Sequence, residues 1–580
     1  MIGNFKKSRI ISWLIDLFLI FLLVFTYGFD RFEIYRPYMI LALPILILIL
    51  FVLNFYQYKT SSPNEKIKKL ARINLWLLLV LMVLEVIMMT LNYQGDILES
   101  YVASRFVLEY GLFLYFFIRL TFLVRKIYSA YFNPALLFVS SFALVALTGT
   151  FLLMLPSATT EGIDFIDALF TATSAVAVTG LIVMDTATAF TTFGQSIILV
   201  LIQIGGLGML TFTSFFSYFF KTGSTFSESL YMKDILGNEK ISNVMALSMQ
   251  IVLFSLVVET IGALLIYFSL NAGVFDDRIF ASIFHSISGF CNAGFSLASK
   301  NMMDSGLQFN YSMQWILMAL IIFGGLGYNI ASNFILYSKN FIINLFNRND
   351  KIFMSRVITL NTKIVVYTTL ILIVLGTVFF FITEPNTVLS IHDSAFGKFT
   401  TALFSSVTAR TAGFNTVDYS MVTVPGILIM ILLMWIGASP GSTGGGIKTT
   451  TFALAVMNIF SLAKGKENIE IGTRRVPKFA VQKSFSIMVI SLISIGVSIV
   501  LMLVFDPNLT LLQVAFETFS AYSTVGLSMG ITPDLSSSSK YVLIFLMFFG
   551  RIGIMNLLIG ILEKRKTSQY TYPKENIIIT

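Results

Sequence analysis

The sequence of 580 residues contains one cysteine, Cys291, and two histidines. A single cysteine excludes a framework of disulfide bonds within the chain, and two histidines exclude a histidine-rich metal centre. Charged residues are also scarce, since they make up 12% of the chain whereas hydrophobic residues make up 56%. A soluble fold cannot bury that much apolar surface, but a lipid bilayer can solvate it. These scarcities indicate an integral membrane protein surrounded by lipid.

The distribution of the charges predicts an orientation in the membrane. The formal net charge of +9 would suggest nucleic-acid binding in a soluble protein, but in a membrane protein it is typical of cytoplasmic loops, and we predict no nucleic-acid partner. Basic residues concentrate in segments such as 339–363 and 464–483, whereas the loops on the opposite side are acidic. This bias predicts a multi-pass protein of the plasma (inner) membrane with both termini in the cytoplasm.

Four apolar runs long enough to span a bilayer precede residue 133. They cover Ile10–Tyr27, Tyr38–Phe55, Leu75–Leu91 and Phe106–Val124. The first run follows three basic residues and resembles a signal peptide, but it contains Asp16 and lacks a small-residue cleavage site, so we predict a retained helix. The runs predict an N-terminal extension of four transmembrane helices over residues 1–132.

From residue 133 onward one pattern recurs four times: a long apolar run, a shorter stretch, a glycine in a polar and aromatic cluster, and a second apolar run. The glycines are Gly180, Gly294, Gly413 and Gly526, and their spacings of 114, 119 and 113 residues are nearly constant. The shorter stretches cover 166–175, 278–288, 396–408 and 511–522, which suffices for half the membrane but not for a full span. The pattern therefore predicts four repeats of helix, short helix, loop and helix.

These repeats predict an all-α integral membrane fold with two spanning helices in each repeat besides the four of the extension. The predicted repeats cover 133–220, 241–338, 360–463 and 480–563, and a cytoplasmic tail follows at 564–580.

The loop at each glycine suggests a cation site. Backbone that is neither helix nor sheet is tolerated at membrane depth only where protein buries it or where it lines a watery path. Four such loops on one axis would direct carbonyl oxygens inward and replace a cation's hydration shell, and the short helices would point their negative ends there. A turn explains any one cluster, but four clusters in register favour a selectivity filter. The predicted filter residues are Val178, Thr179, Gly180, Asn292, Ala293, Gly294, Thr411, Ala412, Gly413, Thr524, Val525 and Gly526.

A further glycine-rich segment, SPGSTGGGIKTTTF at 439–452, interrupts the apolar sequence of the third repeat. It is not a nucleotide-binding P-loop, because that motif needs lysine directly after its last glycine, and Ile447 separates Gly446 from Lys448. Pro440 and the glycines cannot continue a stable helix, so the sequence predicts a break that faces a cavity within the membrane. A simple kink shares the same backbone requirements and stays open as the alternative.

Taken together, these segments resemble the Trk/Ktr superfamily of potassium-uptake membrane subunits, and the likeness is closest to the Ktr type. The segments that carry the resemblance are AVAVTGLIVMDTATAFTTFGQ, GFCNAGFSL, ARTAGFNTVD, STVGLS, IQIGGLG and GASPGSTGGGIKTTTF. The likeness covers about Asn133 to Lys566. The four helices before it exceed the two that Trk-type members add, and we assign the extra pair no role.

The resemblance implies a pseudo-fourfold pore formed by one chain, with potassium ions bound at the filter residues. It also implies a homodimer with one pore per subunit and a cytosolic, RCK-type regulatory subunit that binds the nucleotide, so that this chain needs no cofactor. Sodium-preferring members of the family carry serine at the first filter glycine, and Gly180 therefore implies potassium. The segment 441–450 corresponds to a gate below the filter. The implied gate residues are Gly441, Gly444, Gly445, Gly446, Lys448 and Arg551.

Five polar side chains lie at or near these segments. A charge such as Arg551 inside the last spanning helix is expected to face a cavity or a partner. Lys448 either repels cations in the closed state or marks the cytoplasmic edge, and both alternatives stay open. Arg410 is expected to brace filter backbone or a carboxylate, because it would repel a bound cation. His285 and Cys291 flank the second filter segment, and packing is the default role for both.

The sequence thus predicts a potassium-uptake subunit and not an enzyme, since no set of nucleophile, base and acid is present. One alternative is the ion-translocating subunit of an ATP-driven potassium pump, which shares four pore units but is not expected to carry GSTGGGIKTTTF. Another is a sodium-conducting member of the same superfamily.

Overall fold

The structure is a computed structural model, and it describes residues 36–60, 65–91, 115, 134–208, 244–271, 273–346, 358–471, 474–553 and 558. Within these ranges the regular secondary structure is almost entirely helical. The helices are α1 (Arg36–Thr60), α2 (Glu65–Leu91), α3 (Pro134–Leu153), α4 (Phe165–Ala177), α5 (Thr192–Leu207), α6 (Val244–Ser269), α7 (Arg278–Cys291), α8 (Tyr311–Leu326), α9 (Tyr328–Phe346), α10 (Leu360–Thr383), α11 (Ala395–Thr408), α12 (Val424–Trp435), α13 (Thr449–Ala463), α14 (Lys478–Phe505), α15 (Leu511–Tyr522) and α16 (Ser537–Ile552). Short 3₁₀ turns cover Asn301–Met303, Val388–Ile391 and Tyr419–Met421, and β1 (Glu470–Ile471) pairs antiparallel with β2 (Arg474–Arg475).

Three of the described helices are long and apolar enough to cross a membrane: Met249–Ser269 within α6, α10 and α14. Helices α8 and α9 meet the same criterion together, but the chain turns by 104° between them. Large apolar side chains such as Leu264, Val374 and Val497 are exposed on the long helices, as expected where lipid takes the place of water. The fold is that of a helical membrane protein.

The short helices predicted before the four glycines are confirmed as α4, α7, α11 and α15. Polar residues at their N-termini explain where three of them begin. Asp277 accepts hydrogen bonds from the first turn of α7, Ser394 does so for α11, and Thr510 forms a reciprocal capping box with Gln513 at α15. Each short helix packs against the long helix before it, in the pairs α3–α4, α6–α7, α10–α11 and α14–α15.

The helix after each short helix packs against the short helix of the following repeat, and this relation closes on itself. Helix α5 packs on α7, α8 on α11, α12 on α15, and α16 packs back on α4. An ion pair of 2.8 Å between Lys540 of α16 and Asp167 of α4 lies at the closing contact. The four helix pairs therefore surround a common centre.

The second helix is interrupted in more than one repeat. The predicted break in the third repeat is present, because α12 ends at Trp435 and α13 begins at Thr449. The second repeat also breaks, at Gly327, which the sequence analysis did not predict. Gly327 has a φ of 75°, and Gly208 and Gly553, which follow α5 and α16, have similar values of 78° and 81°. Glycine allows these left-handed turns at low cost.

Of the four predicted N-terminal spans, Tyr38–Phe55 and Leu75–Leu91 fall within α1 and α2, which pack against each other. The runs Ile10–Tyr27 and, apart from Tyr115, Phe106–Val124 lie outside the described residues, as does the tail at 564–580.

Candidate functional site

The loops that follow the four short helices contact one another in a closed ring. We call them the glycine loops, residues 178–180, 292–294, 411–413 and 524–526. A Cβ atom added to Gly180 would lie only 2.3 Å from the carbonyl oxygen of Ala293 in the next loop. The corresponding distances are 2.8 Å from Gly294 to Ala412, 2.4 Å from Gly413 to Val525 and 2.1 Å from Gly526 to Thr179. Because the last contact joins the fourth loop to the first, the predicted filter residues come together at one place.

Each glycine loop has a left-handed residue two positions before its glycine. Val178, Asn292, Thr411 and Thr524 have φ angles of 57°, 61°, 69° and 51°. Three of these residues are β-branched, and a positive φ is strongly disfavoured for them. Strained backbone of this kind persists only where its surroundings impose it, and it concentrates at ligand and switch sites.

Hydroxyl groups near the ends of the short helices hold the glycine loops in this conformation. Ser174 Oγ donates to the Leu181 carbonyl at 2.8 Å and accepts from the Gly180 amide at 3.1 Å. The equivalent bonds are Ser288 to the Phe295 carbonyl at 2.7 Å, Thr408 to the Phe414 carbonyl at 2.6 Å, and the Gly526 amide to Ser520 at 3.0 Å. These residues were not predicted from the sequence, although a serine or threonine lies five or six positions before each of the four glycines.

Two further side chains of the short helices brace the segment that directly follows a glycine loop. His285 is fully buried and lies 3.0 Å from Ser296 Oγ through Nε2, while its Nδ1 lies 2.8 Å from the Ala281 carbonyl. Glu517, also fully buried, accepts hydrogen bonds from Ser528 and from the Met529 amide. His285 therefore has a structural contact, as its default role suggested, whereas Glu517 was not singled out from the sequence.

The hydrogen bonding of the glycine loops determines what they can bind. Their amides point back to the short helices, as in the bonds from Thr179, Ala293 and Val525 to carbonyls of Ser174, Ser288 and Ser520 at 2.7–2.8 Å. The carbonyl oxygens of the same three residues lie against the neighbouring loops. Carbonyl oxygens from four adjoining loops, close to the negative C-terminal ends of four helices, can replace water around a cation and disfavour an anion.

The segment between α12 and α13, which we call the interhelix loop (residues 436–448), lies directly against the glycine loops. The Gly445 amide donates to Thr524 Oγ1 at 3.0 Å, and a Cβ atom on Gly444 would lie 2.1 Å from Thr411 Oγ1. Thr443 Oγ1 donates to the Phe290 carbonyl at 3.3 Å, at the end of α7. The glycines of this loop are therefore needed for a close approach, because any side chain at Gly444 would collide with the ring.

The other end of the interhelix loop is fastened to the break after α8. The Ser439 amide donates to the Gly325 carbonyl at 3.1 Å, and its hydroxyl donates to the Leu326 carbonyl at 2.5 Å. A Cβ atom on Gly327 would lie 2.6 Å from the Gly441 carbonyl oxygen. These bonds occupy carbonyl groups that the interrupted helix leaves without an intrahelical partner.

Two cationic side chains donate to carbonyls in the glycine-rich part of the interhelix loop. The Arg551 guanidinium donates to the Thr443 carbonyl of this loop and to the Gly205 carbonyl near the end of α5. Lys448 folds back onto its own loop, where Nζ donates to the Gly444 carbonyl at 2.6 Å. Arg551 thus links the loop to the first repeat, while Lys448 stabilises the turn of the loop itself.

Arg410, Cys291 and Glu259 are also buried. Arg410 donates to the carbonyls of Thr369 in α10 and Gly437 in the interhelix loop, both at 3.3 Å, so it braces backbone outside the predicted filter residues and not a carboxylate. Cys291 lies 4.0 Å from Glu259 Oε1, and the Gln203 amide donates to both oxygens of that carboxylate. Glu259 was also missed from the sequence, although a lone acidic residue in a membrane-length apolar helix is itself a functional signal.

Comparison with known proteins places this architecture in a group of transporters. A family model described as TrkH, cation transport protein, matches residues 103–570. The chain is 36% identical to the potassium/sodium uptake protein NtpJ of Enterococcus hirae, over 77% of this chain and 97% of that protein. It is 38% identical to the Ktr system potassium uptake protein B of Vibrio alginolyticus, over 76% of this chain and 93% of that protein. The crystal structure of the potassium transporter TrkH from Vibrio parahaemolyticus has the same fold, with a TM-score of 0.59 at 17% identity over 84% of this chain and 97% of that chain.

Proposed function

The chain belongs to the TrkH family of cation transport proteins, and we propose that it forms the pore through which potassium ions enter the cell across the plasma membrane. The observation that carries this proposal is the closed ring of glycine loops, in which each glycine lies against a carbonyl oxygen of the next loop. A ring of carbonyl oxygens can compensate a cation for its lost water. Relatives that are named as potassium uptake proteins support potassium as the ion.

In this proposal the four glycine loops form the selectivity filter, and the ion is substrate rather than cofactor. The four sequence repeats and the cyclic packing of their helices support a pseudo-fourfold arrangement around the filter. Gly180 supports potassium over sodium, because a serine there would place a side chain within 2.3 Å of the Ala293 carbonyl and disturb the ring. One relative is named a potassium/sodium uptake protein, so sodium conduction is the second candidate.

The interhelix loop acts as the gate in this proposal. Its contacts with Thr411, Thr524 and Phe290 support a position across the inner side of the ring, where it would obstruct an ion. Opening requires the loop to leave these positions, and Arg551 would hold it in the closed state through Thr443. Lys448 would also stabilise the closed loop, because its ammonium group donates to the Gly444 carbonyl. The two roles predicted from the sequence, cation repulsion and the cytoplasmic edge, stay predictions.

The proposed assembly contains more than this chain. Relatives from Vibrio alginolyticus and Bacillus subtilis are named as proteins of a Ktr system, which supports a cytosolic nucleotide-binding partner that would control the gate. We also propose a homodimer with one pore in each subunit, and both termini in the cytoplasm, from the family resemblance and the distribution of basic residues.

The decisive experiment is uptake in cells that lack their own potassium-uptake systems. Expression of this chain with a Ktr-type regulatory partner should restore growth at low potassium, and excess sodium should compete poorly with rubidium uptake. Equal competition by sodium would favour the sodium-conducting alternative. Failure to support any cation uptake, with the protein present in the membrane, would overturn the proposal. An ATP-driven pump subunit would instead require its own ATPase partner for uptake.

A further inference from the structure

Glu259 is an acidic residue within a helix long enough to cross a membrane, and it belongs to no glycine loop. Glu259 is in α6, where neighbouring side chains such as Leu256 and Ile261 are about half exposed, as expected for a lipid-facing surface. The Glu259 residue itself is only 4% exposed. A carboxyl group at this depth is costly and is retained where it faces the protein interior and has a partner.

The partners of Glu259 come from two other helices. Gln203 Nε2 of α5 lies 3.0 Å from one carboxylate oxygen and 3.1 Å from the other. Cys291 Sγ of α7 lies 4.0 Å from Glu259 Oε1 and 3.8 Å from Gln203 Oε1. The backbone of α6 is fixed at the same level, since Ser286 Oγ donates to the Glu259 carbonyl at 2.6 Å. No basic side chain among the described residues forms an ion pair with Glu259.

Gln203 stands two residues before the backbone group that holds Arg551. The Gly205 carbonyl accepts from the Arg551 guanidinium, which also donates to the Thr443 carbonyl of the interhelix loop. The position of the end of α5 therefore determines where Arg551 can lie, and through it where the loop is held. Hydrogen bonds thus link Glu259 to Gln203 at one point of α5 and link Gly205 through Arg551 to Thr443 at another, and the α5 backbone joins the two points.

The end of α5 is packed too tightly to absorb a displacement locally. A Cβ atom on Gly205 would lie 2.1 Å from the Val176 carbonyl oxygen, and one on Gly206 would lie 2.3 Å from Cys291 Sγ. Helix α5 thus meets the end of α4 backbone to backbone, and it meets the end of α7 at the Cys291 side chain. Closely packed elements of this kind move as units instead of deforming.

We propose that Glu259 and Gln203 form an intramembrane clamp that fixes the end of α5, and that Glu259 is thereby a positioning residue for the Arg551 gate. This inference rests on the proposed function of the interhelix loop. Removing the carboxyl group leaves the buried Gln203 amide without this acceptor, which favours a displaced α5. The clamp does not touch a glycine loop through its polar groups, so its loss should loosen the gate while ion preference stays the same.

The test is rubidium uptake into proteoliposomes that contain the purified full-length chain without a regulatory partner. Glu259→Leu should raise this uptake by about fivefold or more, at the lower end of the range for coupled sites, with an unchanged preference for rubidium over sodium. Glu259→Gln keeps an acceptor for Gln203 and should return uptake close to that of the wild type. The double variant Glu259→Leu with Gln203→Leu should leak no more than the stronger single variant, because both remove the same interaction.

Ser255→Ala is the matched control, since Ser255 is buried on the same helix but donates only to Ile251 of its own helix. Uptake by Glu259→Leu equal to that of this control would overturn the clamp, as would additive effects in the double variant. If Glu259→Leu does not purify as a single folded species, Gln203→Leu tests the same pair from the other side. Deletion of residues 442–446 separates the two proposals. If the deletion variant shows wild-type uptake, the proposal that the interhelix loop is a gate is refuted. If the deletion variant leaks but the clamp variants do not, only the clamp is refuted.

Discussion

Replacing Arg551 with alanine should shift the gate toward its open state by a predictable amount. The side chain makes two charge-assisted hydrogen bonds, but only the bond to the Thr443 carbonyl must break when the interhelix loop moves away from Gly205. A hydrogen bond to a charged group contributes about 1.5–3 kcal/mol. Since about 1.4 kcal/mol corresponds to a tenfold change in an equilibrium, the open fraction should rise about tenfold to a hundredfold while it is small.

Rubidium uptake into proteoliposomes at a fixed membrane potential measures this effect. Arg551→Ala also removes a positive charge from the ion's route, which would raise flux for a different reason. Arg551→Lys separates the two causes, because lysine keeps the charge but lacks the planar fork that reaches two carbonyls at once. We expect Arg551→Lys to leak as well. If Arg551→Lys shows wild-type uptake while Arg551→Ala leaks, the anchoring role is refuted. Arg551 would then limit flux through its positive charge alone.

Three further predictions address the interhelix loop, the proposed filter and the segment before α11. Deleting residues 442–446 should raise potassium flux and weaken the dependence of that flux on a regulatory partner, while ion preference is largely kept. A deletion variant that is folded and inserted in the membrane but has lost its flux would instead indicate a structural kink. Gly180→Ser should admit sodium more readily, because the added side chain meets the Ala293 carbonyl at a position with a φ of 90°. An unchanged potassium-to-sodium uptake ratio would contradict the assignment of Gly180 to the filter. His392, in the segment before α11, lies 3.0 Å from the Tyr311 hydroxyl and 2.9 Å from Thr401 Oγ1, and burial lowers its pKa below 6.5. The folded state then binds fewer protons than the unfolded state, so thermal stability in detergent should fall as the pH drops below about 6.5, and His392→Gln should reduce that dependence; an identical pH profile in the variant would contradict it.

The sequence was sufficient to predict the short helices because local signals specify them. Their apolar content, their length and caps such as Asp277 and Thr510 act within a few residues, and α15 begins and ends at the predicted residues. The break before α13 was predictable for the same reason, since Pro440 and the adjacent glycines cannot continue a helix.

Contacts between distant segments could not be predicted in this way. Arg551 was recognisable as a charge that needed a partner, but its acceptors lie 108 and 346 residues away in the sequence. Both acceptors are backbone carbonyls, which every residue has, so no residue type marks them. The bend at Gly327 was overlooked although GGLG occurs at both 205–208 and 324–327, because glycines in a transmembrane helix do not by themselves require a bend.

The contact between Lys540 and Asp167 has a consequence for biosynthesis. These residues are 373 positions apart, and the glycine loops likewise close only where Gly526 meets Thr179. The ribosome inserts the first three repeats into the membrane before the fourth repeat is synthesised. Until then the nascent chain lies in the bilayer with one side of the ring incomplete. Backbone carbonyls on that side need temporary protection from hydrocarbon. A chain that terminates shortly before residue 526 would therefore leave the ring of glycine loops open, and it would lose the whole proposed pore rather than a quarter of it.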